Sequence, residues 1–148
     1  MCSMTHSDNA LSAGNQQERL HPWWIVGFVD GEGCFSVSRF RNITCSSGYQ
    51  VLYEFVVTQG KSSEKAMNAI KEYFNCGHVY INRRHDNHHE DLLRFCVRKQ
   101  SDLKTIILPF FRKYPLQSAK REQFEAFCSR LLESSETIRR AAQSAQKI

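Results

Sequence analysis

Two carboxylates set among glycines, Asp30-Gly31-Glu32-Gly33, stand near the end of the run His21-Pro22-Trp23-Trp24-Ile25-Val26-Gly27-Phe28-Val29-Asp30-Gly31-Glu32-Gly33-Cys34-Phe35. A helix that only packs has no need of acids placed between glycines. Gly27 and Gly31 lie four residues apart, so on a helix they share a face on which no Cβ keeps another backbone away. Two copies could cross there almost backbone to backbone, and two-fold symmetry would set a second Glu32 beside the first. Carboxylates that close repel unless they share a proton or bind a cation. Oxygen donors with open water positions suit Mg²⁺, which takes few carboxylates and completes its shell with water and phosphate oxygens.

The elements that must hold this arrangement can be read in order. Pro22 suits the first turn of a helix, where its missing N–H would have had no partner. Cys34 to Phe40 alternates, with Phe35 and Val37 on one face and Ser36 and Ser38 on the other, which predicts a half-buried strand. A turn over 41–48 leads into a second strand, Gln50 to Gln59, with Val51, Tyr53, Phe55 and Val57 on one face, and the two make a hairpin. Lys61-Ser62-Ser63-Glu64 opens a helix with a capping Ser and an acid in its first turn. Ala66, Met67, Ile70, Tyr73 and Phe74 are its apolar stripe and Gly77 its stop. A second hairpin, His78 to Arg84 and Leu92 to Lys99, surrounds the loop Asp86-Asn87-His88-His89-Glu90. Ser101 is expected to cap the next helix, with Leu103, Ile106, Ile107, Phe110 and Phe111 at helical spacing and Pro109 bending or interrupting it. After Tyr114-Pro115 a final helix carries Phe124, Phe127, Cys128, Leu131 and Leu132. The strand-strand-helix unit thus occurs twice. Four antiparallel strands with all helices on one face make an α+β layer whose other face is free and polar.

At 148 residues and 17.2 kDa the chain suits one domain, expected over residues 20–132. A polar, aperiodic leader covers residues 1–19 and a helical or flexible tail covers residues 133–148. The leader holds Asp8 and Glu18 and one Arg, unlike a transit peptide, and Met4 is an alternative start. A net charge of +5 and a pI near 9.0 favour a polyanionic partner. No apolar run is long enough to span a bilayer. Six cysteines without a CxxC pair fit reduced thiols inside a cell. Cys76, His78, His85, His88 and His89 could be drawn into a zinc site, but their spacing matches no standard pattern and a His-rich polar loop accounts for them more simply.

The free face should present Ser36, Ser38, Asn42, Gln50, Tyr80, Asn82, Arg84 and Arg94, with Arg39, Arg41, Arg83 and Arg98 nearby. A twisted β-ribbon fits the major groove, where Arg, Asn and Gln read base edges and further basic groups hold phosphates. A solvated sheet face would be polar as well. The carboxylates at the sheet's end tip the balance toward DNA, and a slip of one residue in register would exchange the two faces.

Trp24 to Gly33 resembles the signature helix of the LAGLIDADG homing endonucleases. The resemblance extends through Val57-Thr58-Gln59 at the end of the second strand to Leu108-Pro109-Phe110-Phe111 and Tyr114-Pro115-Leu116, as far as Lys120, and covers Leu20 to about Leu132. It implies the αββαββα fold of that family and, with one signature helix, a homodimer joined through Val26, Gly27, Asp30 and Gly31. It also implies metal-dependent cleavage of both strands of a long, nearly palindromic duplex across the minor groove, in a chloroplast or mitochondrion. On that basis Glu32 ligates the divalent cation, Mg²⁺, with the Gly31 carbonyl completing its shell; many members carry Asp at this position. Asp30 organises the helix end, Gln59 orients the attacking water, and Lys120 polarises the scissile phosphate. Ser118 occupies a spot that one alignment gives to the family's lysine, which makes Lys61 and Arg121 substitutes for Lys120. Lys61 joins Ser36, Ser38, Arg39, Arg41, Asn42, Gln50, Tyr80, Asn82, Arg83, Arg84 and Arg94 as candidate DNA contacts.

Three other functions compete. Relatives on this fold serve as RNA-binding splicing factors (maturases), and a non-cleaving DNA-binding regulator would use the same sheet. Glu32 and Gln59 favour an enzyme over both. A purely structural dimerisation domain leaves the basic sheet unexplained.

Overall fold

The computed structural model describes residues 19–85 and 90–145. Helix α1 (Pro22–Glu32) leads into strands β1 (Gly33–Arg41) and β2 (Tyr49–Gly60), and a 3₁₀ turn (Lys61–Ser63) opens α2 (Glu64–Phe74). Strands β3 (His78–Asn82) and β4 (Leu92–Val97) follow. Then α3 (Gln100–Asp102) passes through a π turn (Leu103–Ile107) into α4 (Leu108–Lys113), and α5 (Lys120–Ala145) ends the described chain. The strands form one antiparallel sheet in the order β1-β2-β4-β3.

Register decides which side chains meet the helices. Gly33 pairs with Val57 and Phe35 with Phe55, while Phe55 also pairs with Val97, so Phe35, Val37, Tyr53, Phe55, Val57, Leu93, Phe95 and Val97 share one face. They pack on Ile25, Val26 and Val29 of α1, Met67, Ile70 and Phe74 of α2, and Phe124, Phe127 and Leu131 of α5. Ser36, Ser38, Gln50, Arg94, Tyr80 and Asn82 fall on the other face, as the alternation predicts. The turn between α1 and β1 leaves no room for a side chain at Gly33: a Cβ there would lie 2.5 Å from Val29 Cγ1 and 2.8 Å from the Val29 carbonyl oxygen.

Several local expectations are corrected. Ser63 holds the N-cap position of α2 with Glu64 in the first turn, but its side chain makes no capping hydrogen bond. Glu90, beside β4, reaches across to accept from the Ser62 N–H (3.0 Å) and hydroxyl (3.3 Å), placing an acid at the helix start from outside the helix. Ser101 lies inside α3, whose cap position is Lys99 and makes no side-chain hydrogen bond. The left-handed residue that ends α2 is Asn75 (φ 51°), with Gly77 following at φ 76°. Pro109 stands in the first turn of α4, and the interruption expected of it takes the form of the π turn directly ahead. Leu132 is exposed, and the buried stripe of α5 ends at Leu131 although the helix continues. Strand β3 stops at Asn82, short of Arg84.

Candidate active site

The C-terminal end of α1 meets the start of α5 through reciprocal ties. The Asp30 carboxylate accepts from the Gln117 N–H (2.9 Å), the Ser118 N–H (3.2 Å) and the Ser118 hydroxyl (2.7 Å). The Ser118 oxygen in turn accepts from the Lys120 N–H at 3.2 Å, an N-cap for α5. Lys120 Nζ donates to the carbonyls of Asp30 (3.0 Å), one of the acceptors a helix leaves open at its end, and Val29 (3.1 Å), which also accepts from the Gly33 N–H. Ser118 is therefore a capping residue, and Lys120 is the cation held against the acidic end of α1, with a third N–H still to donate.

Burial works against the charged form of Asp30, yet the hydrogen bonds from Gln117 and Ser118 and the charge of Lys120 hold its pKa below the ordinary 3.8. A depressed carboxylate pKa contributes stability that is fully present above the unfolded value and is lost as the pH falls through the folded one. Asp30→Ala is thus expected to lower unfolding stability at pH 7 by about 1 kcal/mol, the scale of charge-assisted hydrogen bonds reduced by solvent screening. In urea titrations the gap to the parent should hold steady down to about pH 5 and narrow as the medium becomes more acidic than the carboxylate.

Glu32 is exposed at the last position of α1, and Gly31 beside it is exposed too. Because Gly33 pairs with Val57, Glu32 lies at the same end of the sheet as Gln59 on β2 and, beyond it, Lys61 in the 3₁₀ turn. Gln59 is partly buried, and Lys61 and Arg121 are exposed. The donors available to a cation are the Glu32 carboxylate and the Gly31 carbonyl at the negative pole of the helix. All are hard oxygens, which fits Mg²⁺. No cluster of three acids, histidines or cysteines occurs among the described residues.

The outward face of α1 carries Trp23, Trp24, Gly27 and Gly31, with Asp30 and Phe28 at its margins. A Cβ built on Gly27 or Gly31 would touch nothing within 4 Å. Trp23 stands edge-on to Tyr114 and Trp24 stacks on Phe28, yet they remain 47% and 42% exposed. Val26 is the correction here: it is buried in the chain's own core and absent from the glycine face.

The free sheet face divides into three regions. At the hairpin tip Asn42 is committed to the turn, accepting from the Thr44 N–H and hydroxyl and donating to Gln50 Oε1 at 2.9 Å. Arg39 and Arg41 fall by parity on the helix side of β1, at its distal end, where Arg39 lies 4.2 Å over the Tyr49 ring. At the other edge Tyr80 and Asn82 are exposed, as are Arg83 and Arg84 just past the strand. In the centre stands Glu54, which sequence reasoning missed: only 7% exposed, it accepts from Arg94 Nη2 at 3.1 Å and Arg98 Nε at 2.5 Å. The carboxylate holds the Arg98 guanidinium even more firmly in its charged form. A lone acid at a free-face position of an apolar strand was the signal available.

Three of the residues considered for zinc, Cys76, His78 and His85, fall among the described residues. His88 and His89 lie outside the described residues, and no metal-sized group forms among Cys76, His78 and His85. Burial, with a contribution from Asp102, pushes the Cys76 thiol up to about 11.

Comparison with known proteins bears on the whole arrangement. The family model described as LAGLIDADG endonuclease matches residues 25–131. An uncharacterized 50.9 kDa protein in ND4 intron 1 of Podospora anserina is 34% identical over 110 residues, 73% of this chain and 23% of that protein. The crystal structure of the homing endonuclease I-TnaI matches with a TM-score of 0.70 at 40% identity, covering 80% of this chain and 76% of that one. The I-LtrWI LAGLIDADG homing endonuclease, bound to target DNA, matches with a TM-score of 0.72 at 29% identity, covering 80% of this chain and 38% of that one. The chain spans less than a quarter of the curated Podospora relative's length.

Proposed function

Because this chain belongs to the LAGLIDADG endonuclease family, we propose that it is a homodimeric, divalent-metal-dependent homing endonuclease that breaks both strands of a long, pseudo-palindromic DNA site. The observation that carries the reading is the notched outer face of α1 with Glu32 at its end: open in one chain, and positioned so that a second copy would bring a second Glu32 to the same place. I-LtrWI, similar in fold, is described bound to target DNA. An organellar setting, mitochondrion or chloroplast, is supported by the Podospora relative, which is named for an intron of ND4. No helix among the described residues is long and apolar enough to cross a membrane.

In this reading Glu32 and the Gly31 carbonyl would hold the cation. A divalent ion bound there supplies an activated water and neutralises charge on the leaving oxygen. Gln59 donates or accepts a hydrogen bond that aims the attacking water. Lys120, steadied by two helix carbonyls, offers its remaining N–H to the scissile phosphate as negative charge develops. The polar sheet face lies in the major groove, where Ser36, Ser38, Gln50, Tyr80, Asn82 and Arg94 reach base edges while Lys61, Arg83 and Arg84 lie near phosphates.

Lys120→Met is expected to slow cleavage by about 10²- to 10³-fold while duplex binding persists, the loss typical for one preorganised charge. Lys61→Ala and Arg121→Ala should cost less, and the three rates are compared in single-turnover digestion. The test of the function itself is selection of cut duplexes from a randomised library in Mg²⁺. A recovered near-palindrome cut on both strands supports the nuclease. A duplex held tightly but uncut in Mg²⁺ would make the protein a regulator, and intron RNA held in preference to any duplex would make it a maturase.

A further inference from the structure

Glu54 is an anomaly on a surface meant for a polyanion: a buried carboxylate at the centre of the free sheet face. It cannot read a base itself, because Oε1 is engaged by Arg98 Nε, with Cys96 Sγ at 3.7 Å, and Oε2 by Arg94 Nη2. Register places Ser36 directly across from Glu54 on β1, and extends to set Arg98, the residue after β4, across from it on the other side. What the carboxylate does is fix its neighbours. With Nε taken, Arg98 is left with the end of its guanidinium, the two terminal amino groups, pointing away from Glu54. That edge is the fork that matches guanine O6 and N7 in the major groove. The Arg98 side chain is 48% exposed, so the fork is open, and it is aimed without the entropy loss that an untethered Arg would suffer.

We infer that Arg98 reads a guanine in each half-site and that Glu54 is the positioning residue that sets its geometry, with Arg94 held beside it by the same carboxylate. The assignment rests on the sheet being the DNA face. It adds Arg98 to the specificity determinants and removes Glu54 from direct contact. One carboxylate between two arginines also keeps the centre of the sheet from gripping any phosphate backbone indiscriminately.

The experiment is a selection of bound duplexes from a randomised library, run on the parent, Arg98→Ala and Glu54→Gln, with binding repeated across a salt series. The parent should prefer guanine at one symmetric pair of positions by about tenfold or more, as a bidentate contact does. Arg98→Ala should flatten that position alone. Glu54→Gln keeps the size and an acceptor but loses the charge, so it should weaken the same preference while binding to unrelated duplex tightens. An unchanged base profile in Arg98→Ala, with a salt slope shallower by about 1, would mean a phosphate contact and overturn the inference. So would a Glu54→Gln profile altered at every position alike. A parent that cuts its site yet is indifferent to Arg98→Ala sinks this inference alone, whereas a parent that recovers no duplex sinks it together with the nuclease.

Discussion

Glu32→Gln should reduce Mg²⁺-dependent cleavage by at least about 10³-fold, the scale on which a lost transition-state charge is felt, and leave duplex binding in Ca²⁺ nearly intact. Gln keeps the size and polarity of the exposed residue at the end of α1, so neither fold nor groove contact has reason to change. What disappears is the only formal charge that the helix end presents to a cation, since Asp30 is already engaged by Gln117 and Ser118. The measurement is single-turnover digestion beside a gel-shift titration. Cleavage that survives the substitution would move the chemistry away from Glu32.

The second large effect has opposite signs for fold and assembly. In one chain a Cβ at Gly27 meets nothing within 4 Å, so Gly27→Leu should leave the monomer as stable or improve it by about 1 kcal/mol, the difference in helix propensity. In the dimer the same side chain would enter the crossing twice by symmetry and hold the helices apart, and each intrusion costs about 1–3 kcal/mol. Sedimentation should therefore show a dissociation constant raised by about 30-fold or more, with cleavage lost and the circular dichroism spectrum unchanged. A variant that remains dimeric and active would show that the chains meet elsewhere.

How much of this was legible beforehand depends on how far apart the deciding residues lie. The free face was readable because Phe35 and Val37 alternate with Ser36 and Ser38, and a period of two fixes sides once one side is buried. The two faces of α1 were not, because apolar residues surround it; Val26 and Trp24 look alike in sequence, and only packing sends one to the core and leaves the other outside. The cap was misassigned at Ser101 since the serine signal is local, and at α2 the acid that reaches the helix start from outside, Glu90, arrives from β4's side of the molecule. Asp30 and Ser118, 88 positions apart, and Glu54 and Arg98, 44 apart, become neighbours only through the helix and strand order. The signature run was legible because its character is carried by residue types within a few positions of one another, Trp24 to Gly33.

The two indoles on the outer side of α1 carry a consequence for how the protein exists at low abundance. A lone chain presents Trp23 and Trp24 to water beside bare backbone, an oily seam that association would cover and dilution would uncover. Its resistance to heat is then a property of the population and rises with the amount of protein present. On the dimeric reading proposed above, a cell that made only a few copies would hold most of them as separate halves, and scarcity itself would restrain cleavage.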